Sequence, residues 1–283
     1  MSETENSKKT PPAGGKKRVN PRKQKERRRF LRSVGLTAGV VGFSLAGLLP
    51  AVQQWRPRLR PPGALSAEQE FLASCIKCGQ CVQVCPVYAI KLADLLDGAG
   101  NGAPYIDARM QACDFSCDGL QCVLACPTGA LSHETDFPHQ VRIGYAELDR
   151  PDLCLARKGQ GFQGKVRGPE FDGLFRYNEI DRWNPIPVRD RDFDLELCDL
   201  CVRHCPIEIR IAQCEAGKPP SGDENQCPPK HALTIEEVED ASGKMVMSPV
   251  VQEGCVGCGA CEMVCPTEPA SIIVDMTKSA DTV

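Results

Sequence analysis

Fifteen of the 18 cysteines fall into four runs, and every run closes on Cys-Pro. Cys75-x2-Cys78-x2-Cys81-x3-Cys85-Pro86 recurs near the far end as Cys255-x2-Cys258-x2-Cys261-x3-Cys265-Pro266. Between them stand a stretched copy, Cys113-x3-Cys117-x4-Cys122-x3-Cys126-Pro127, and a short one, Cys198-x2-Cys201-x3-Cys205-Pro206. The short copy lacks a first cysteine at the expected place. Thiolates at two-residue gaps can curl round one inorganic core, one to each iron corner of a cubane. The fourth cysteine, three residues on, is the one that reaches a neighbouring core in two-cluster arrangements. The proline after it removes a backbone donor and turns the chain away. The chemistry expected is one-electron exchange at four [4Fe–4S] clusters, with the motifs working in pairs across a pseudo-two-fold axis. Because the two standard motifs are outermost, the pairing expected is nested: first with fourth, second with third.

Other uses of cysteine fit less well. Structural zinc sites also use CxxC, but they set two pairs apart and do not pack four cysteines into eleven residues before a proline. A CxxC pair can close into a disulfide, yet such bonds are redox-active more often than structural. No CxxCH occurs, so covalent haem attachment is disfavoured.

The third motif needs one more ligand, and Cys154, Cys214 and Cys227 are unassigned. Cys154 lies upstream, where the missing cysteine belongs, separated from Cys198 by residues 155–197. It is the expected ligand. The alternatives are Cys214, Cys227, or a three-iron cluster at this site. With Cys154 used, Cys214 and Cys227 either form a disulfide, stabilising the chain by about 3 kcal/mol through loop closure, or stay free thiols. The insert 155–197 is polar and carries Trp183 and the break Asn184-Pro185-Ile186-Pro187. It reads as a surface excursion that could dock a partner. His133, His139, His204 and His231 are scattered; His204, beside Cys205, is placed to tune a cluster by hydrogen bonding to sulfur.

Small elements must hold these motifs. Aromatic residues make up only 5% of the chain, so a large aromatic-aliphatic core is not available and the metal centres must replace part of it. After each of three Cys-Pro pairs comes a turn and a short apolar run (Val87–Ile90, Thr128–Leu131, Thr267–Ile272), and another apolar run spans Met245–Val251. The fold class expected is α+β: tandem bacterial-ferredoxin-like units of short hairpins and small helices, preceded by a signal segment.

Charge divides the chain. Residues 1–32 hold 12 Lys/Arg against three Glu, a net of +9, leaving 22 basic and 34 acidic residues and a net of −12 in the rest. Arg27-Arg28-Arg29-Phe30-Leu31-Arg32 before the mild apolar run Val34–Leu49 reads as a twin-arginine export signal. That run is shorter than the roughly 20 residues of a comfortable membrane span, and no clear A-x-A cleavage site follows it, so the segment is either removed or kept as an anchor. The route suits a protein that acquires its clusters in the cytoplasm and crosses folded. The acidic body disfavours nucleic acid, whose phosphates need clustered cations. It also suits partners with cationic docking patches. The organisation expected is signal 1–54, linker 55–70 (proline-rich and extended), cluster-bearing body 71–275, and tail 276–283.

The chain resembles the NapG/MauM family of ferredoxin-type proteins. The matching stretches are Arg27–Arg32, Arg60-Pro61-Pro62-Gly63-Ala64, Cys75-Ile76-Lys77-Cys78-Gly79-Gln80-Cys81, Cys113–Leu131 and Cys255–Pro266. In that family the third motif opens with a cysteine several residues before its CxxC, which favours Cys154. The long insert, Cys214 and Cys227 are departures from the pattern. The resemblance implies a non-catalytic periplasmic electron carrier. It would take electrons from a membrane-bound, quinol-oxidising ferredoxin-type partner and pass them to a periplasmic redox enzyme or cytochrome. One rival reading is the electron-transfer subunit of a molybdopterin oxidoreductase. Another is an iron–sulfur sensor or assembly factor, for which no effector element is visible.

Overall fold

The computed structural model describes residues 25–26, 28–40, 42, 58–94, 100–117, 119–176 and 184–278. The chain divides into two units, 1–53 and 54–283. In the first, residues 28–40 form a solvent-exposed helix, α1, in which Ser33 and Thr37 hydroxyls donate to the carbonyls of Phe30 and Ser33. Arg27 and most of the apolar run beyond residue 40 lie outside the described residues. Among the described residues no helix is long and apolar enough to cross a membrane.

In the second unit the same small plan is built twice. An extended segment comes first, then a cysteine motif that runs into a one-turn helix, then a β-ribbon. A second motif and helix follow, and the chain returns to pair with the opening segment. In the first half the helix α2 (Glu68–Ser74) leads into motif one and its turn α3 (Gln80–Gln83). The ribbon is β1 (Ile90–Leu92) antiparallel to β2 (Pro104–Ile106), and α4 (Gln121–Leu124) completes motif two. Leu131 then bridges back to Ala64. In the second half β3 (Tyr145–Glu147) takes the place of that opening segment. The helix α5 (Leu200–Arg203) lies within motif three, and α6 (Pro206–Glu215) follows it. The ribbon is β8 (Leu233–Glu239) against β9 (Met245–Val251), α7 (Ala260–Val264) lies within motif four, and β10 (Ile273–Asp275) returns to β3. The one-turn helices α3 and α7 start where they do because Gly79 (φ 74°) and Gly259 (φ 84°) occupy the left-handed region between the second and third cysteines.

Two expectations change here. The 55–70 segment, described from residue 58, runs without helix through its prolines to residue 67 and then enters α2, and it is built into the body. Leu59 bridges to Ile106, and buried Arg60 donates to the Pro104 carbonyl (2.8 Å) and pairs with Glu68. The insert 155–197 is not a surface excursion. Two ribbons, β4 (Phe162–Lys165) with β7 (Asp192–Leu195) and β5 (Leu174–Phe175) with β6 (Ile186–Pro187), send Val166, Phe171, Phe175, Val188 and Phe193 into the core. These apolar residues are spaced too irregularly to read as strands, but burial selects them. Trp183 lies outside the described residues. Cysteines and small apolar residues dominate the rest of the core.

Candidate iron–sulfur cluster sites

The cysteines gather into four rings. In ring I, Cys75, Cys78 and Cys81 of motif one meet Cys126 of motif two around a cavity walled by Phe71, Pro104 and Leu131. In ring II, Cys113, Cys117 and Cys122 are neighbours of Cys85 from motif one, near enough that, behind burial, the charge of Cys85 helps raise the pKa of all three. Ring III unites Cys154, Cys198, Cys201 and Cys265. Ring IV unites Cys255, Cys258, Cys261 and Cys205. The fourth cysteine of every motif has crossed to its neighbour's ring.

The pairing is therefore sequential, first motif with second and third with fourth, and the nested expectation is corrected. Similar spacing in the two outer motifs says nothing about proximity. The short ribbon β1–β2 closes the chain between motifs one and two locally, and a local loop costs less entropy than one spanning most of the body.

Cys154 stands in ring III beside Cys198, Cys201 and Cys265, and the insert explains how. The ribbon β4–β7 leaves and returns at the same place, with the Cys198 amide donating to the Gln160 carbonyl at 3.0 Å. Cys214 and Cys227 are joined in a disulfide, so neither is a ring member.

The donor set fits an iron–sulfur core. Burial, with neighbouring thiolates behind it, pushes Cys81 up to about 11 and pushes Cys113, Cys258 and Cys261 up strongly. Four such thiols become thiolates together only against a compensating positive charge, which iron provides. Among the described residues no three His, Cys, Asp or Glu side chains converge on a point that a single ion could share.

Two of the four crossing cysteines, Cys126 and Cys265, are already prepared for charge, whereas burial pushes Cys205 up to about 12. The Ala89 amide donates to Cys85 Sγ (3.3 Å), Leu131 to Cys126 Sγ (3.5 Å) and Ser271 to Cys265 Sγ (3.3 Å). The Ser271 and Thr267 hydroxyls each lie 3.2 Å from Cys265 Sγ. At Cys126 and Cys265 burial raises the pKa, but these donors outweigh it and bring both thiols below their ordinary value. Exposure differs between rings: Cys78 of ring I is exposed, whereas all four cysteines of ring IV are buried.

The four histidines line none of the cavities of rings I, III and IV. His204 is buried, stacked on Phe175 at 5.0 Å and edge-on to Phe193 at 5.4 Å. Burial, with Arg191 and Arg203 adding to it, holds its pKa down at about 3, so the ring is neutral. Sequence reasoning missed the residues that brace the rings, Arg109, Gln111 and Glu208 above all. They belong to no motif, and the partners they join lie far apart in the chain.

Residues 74–149 and 196–268 each match the 4Fe-4S dicluster domain family. The chain is 33% identical over 256 residues to the ferredoxin-type protein NapG of Escherichia coli (strain K12), covering 89% of this chain and 86% of that one. It is 32% identical over 262 residues to the methylamine utilization ferredoxin-type protein MauM of Paracoccus denitrificans (strain Pd 1222), covering 91% and 90%. The chain belongs to the NapG/MauM family of ferredoxin-type proteins. The NapG of Haemophilus influenzae is a further relative, 32% identical over 263 residues, covering 91% of this chain and 74% of that one. No solved structure matches the chain. As a NapG/MauM-type ferredoxin the chain carries [4Fe–4S] clusters and transfers electrons. One dicluster match spans motifs one and two and the other motifs three and four, the same division as the sequential rings. Cys154 falls between the two matches.

Proposed function

We propose that the chain is a four-cluster electron carrier of the periplasm, with one [4Fe–4S] cluster in each ring. The observation that carries this is the convergence of sixteen cysteines into four rings of four. Each bound cluster supplies the exchange of a single electron, at a potential set by charge, hydrogen bonds and exposure. The protein's own residues do the rest. Phe71 and Leu131 wall one side of ring I, Ile207 and Leu233 one side of ring IV, and amide and hydroxyl donors aim at the crossing sulfurs. Ring I, with Cys78 exposed, is the surface contact for a redox partner.

The proposed route begins at a membrane-bound, quinol-oxidising ferredoxin-type protein and ends at a periplasmic redox enzyme or cytochrome. Export by the twin-arginine pathway, with the signal removed or retained as an anchor, is supported by Arg28, Arg29, Phe30, Leu31 and Arg32 following Arg27. Methylamine utilization in the names of MauM relatives supports a role beside a periplasmic oxidoreductase system.

Anaerobic iron and acid-labile sulfide analysis with EPR of the reduced protein tests the reading. About 16 irons and interacting S = 1/2 signals are expected for four cubanes. Zinc without sulfide, in a correctly folded protein, would end it.

A further inference from the structure

Between β2 and motif two the chain runs through Arg109–Phe115, and this strap is fastened to the second half along its whole length. Arg109 donates to the carbonyls of Glu262 (2.6 Å), Cys265 (2.8 Å) and Thr267 (2.7 Å) and to the Glu268 carboxylate (2.9 Å). The Gln111 amide pairs both ways with the backbone of Leu174, at 2.8 and 2.9 Å. The Ala112 amide donates to Met263 Sδ at 3.1 Å, and the Arg176 amide to the Asp114 carboxylate at 3.1 Å. Arg210 reaches the Phe115 carbonyl at 2.8 Å. At the centre the amide of Cys113, a ring II cysteine, donates to the carbonyl of Cys258, a ring IV cysteine, at 3.2 Å. The approach has no slack. A Cβ on Gly259 would stand 2.4 Å from the Cβ of Ala108, which is itself buried.

We propose that electrons cross between the two halves at the Cys113–Cys258 hydrogen bond, and that Ala108, Arg109 and Gly259 are positioning residues for this crossing. The inference rests on the four-cluster reading. Within each half the rings are already joined by the crossing cysteines, through Cys81–Cys85 and Cys122–Cys126 in the first and Cys201–Cys205 and Cys261–Cys265 in the second. The order along the molecule is thus I, II, IV, III, with rings II and IV inside. In the crossing one electron leaves the ring II site, which is oxidised by one electron, and reduces the ring IV site by one, or the reverse. No bond breaks and no proton moves. The insert takes part, because Leu174 and Arg176 hold the strap from its outer side while Phe175 stacks on His204 of motif three.

The test uses the full-length, cluster-loaded protein and two variants. Ala108→Leu pushes on Gly259, and Arg109→Gln loosens the strap without adding bulk, which keeps the test open if the first variant does not fold. Iron and sulfide content and the number of electrons taken up are measured first. Electron redistribution after limiting photoreduction, and EPR of the fully reduced state, follow. The wild type should redistribute electrons in one phase. A variant with full iron should become biphasic, with one half of the clusters lagging about tenfold, and its spectrum should resolve into two separately interacting pairs. Full iron with an unchanged single phase and an unchanged spectrum would overturn the crossing. A wild-type protein with fewer than four clusters would instead remove the reading beneath it.

Discussion

Replacing Glu208 with alanine takes away the acceptor that fixes one wall of ring IV. The carboxylate, in the first turn of α6, receives the amides of Ala232 (2.6 Å) and Leu233 (3.1 Å) and the Nδ1 of His231 (2.8 Å). Ala232 and Leu233 are buried and line the ring IV cavity. An unpartnered buried amide costs about 1–3 kcal/mol, so Glu208→Ala should destabilise the second half by about 2–6 kcal/mol. Glu208→Gln keeps a carbonyl for the amides and should recover most of this, but it cannot pair with a charged imidazole. The hydrogen bond to Glu208 raises the pKa of His231. The pair's contribution is therefore complete below the ordinary imidazole value of about 6.5 and disappears as pH rises through the higher folded value. His231 is half-exposed, which limits that part to about 1 kcal/mol. Anaerobic urea denaturation, followed by cluster absorbance at about pH 6 and about pH 9, reads both effects. The wild type should lose its advantage over Glu208→Gln at the higher pH. A Glu208→Ala midpoint within error of wild type, or a Glu208→Gln protein with the wild-type pH dependence, would refute the reasoning.

Cys154→Ala should lose or convert one cluster only, lowering iron from about 16 to about 12–15 per chain; retention of all 16 would remove Cys154 from ring III. The double variant Cys214→Ser/Cys227→Ser should keep its full iron and lose about 3 kcal/mol of stability by the loop-closure relation. Unchanged stability in reductant-free buffer would show the disulfide to be idle. Ser271→Ala removes a hydroxyl 3.2 Å from Cys265 Sγ and should lower one cluster potential by about 60 mV if the bond favours the reduced state by about 1.4 kcal/mol. Redox potentiometry that finds all potentials unmoved would contradict the role given to these donors.

The ring cysteines were legible in the sequence because their chemistry forces a short, repeated spacing, and Met245–Val251 was legible as a strand because it is mostly apolar, with Ser248 and Pro249 its only interruptions. Cys154 could be placed by the gap in motif three together with the family pattern. The pairing of motifs could not be read, since it depends on which ribbon closes first and not on likeness between motifs. Arg60 sits in a proline-rich stretch that resembles any linker, and only its ion pair with Glu68 and its bond to the Pro104 carbonyl show it to be part of the body. The insert looked polar because charged residues alternate with its phenylalanines. In β7 Asp192 and Asp194 face solvent while Phe193 is buried against His204. Arg109 was invisible for a similar reason: its acceptors are backbone carbonyls more than 150 residues away.

Ring III differs from the others in what its closure requires. In rings I, II and IV the three cysteines from one motif lie two to four residues apart, and only the crossing cysteine comes from afar. In ring III the first and second cysteines are separated by residues 155–197. Each doubling of a loop costs about 0.6 kcal/mol, so widening a two-residue gap to this length costs about 2.5–3 kcal/mol more before any contact forms. The β4–β7 register, the buried Phe171, Phe175 and Phe193, and the bond from Arg157 to the Ser248 hydroxyl (3.1 Å) offset that cost. Those contacts draw on the strap and the β8–β9 ribbon, because Leu174, next to Phe175, is hydrogen-bonded to Gln111 and Ser248 lies in β9. The cysteines of ring III are therefore held together by contacts from the strap, the insert and the β8–β9 ribbon, whereas the other rings bring most of their sulfurs with their own motifs.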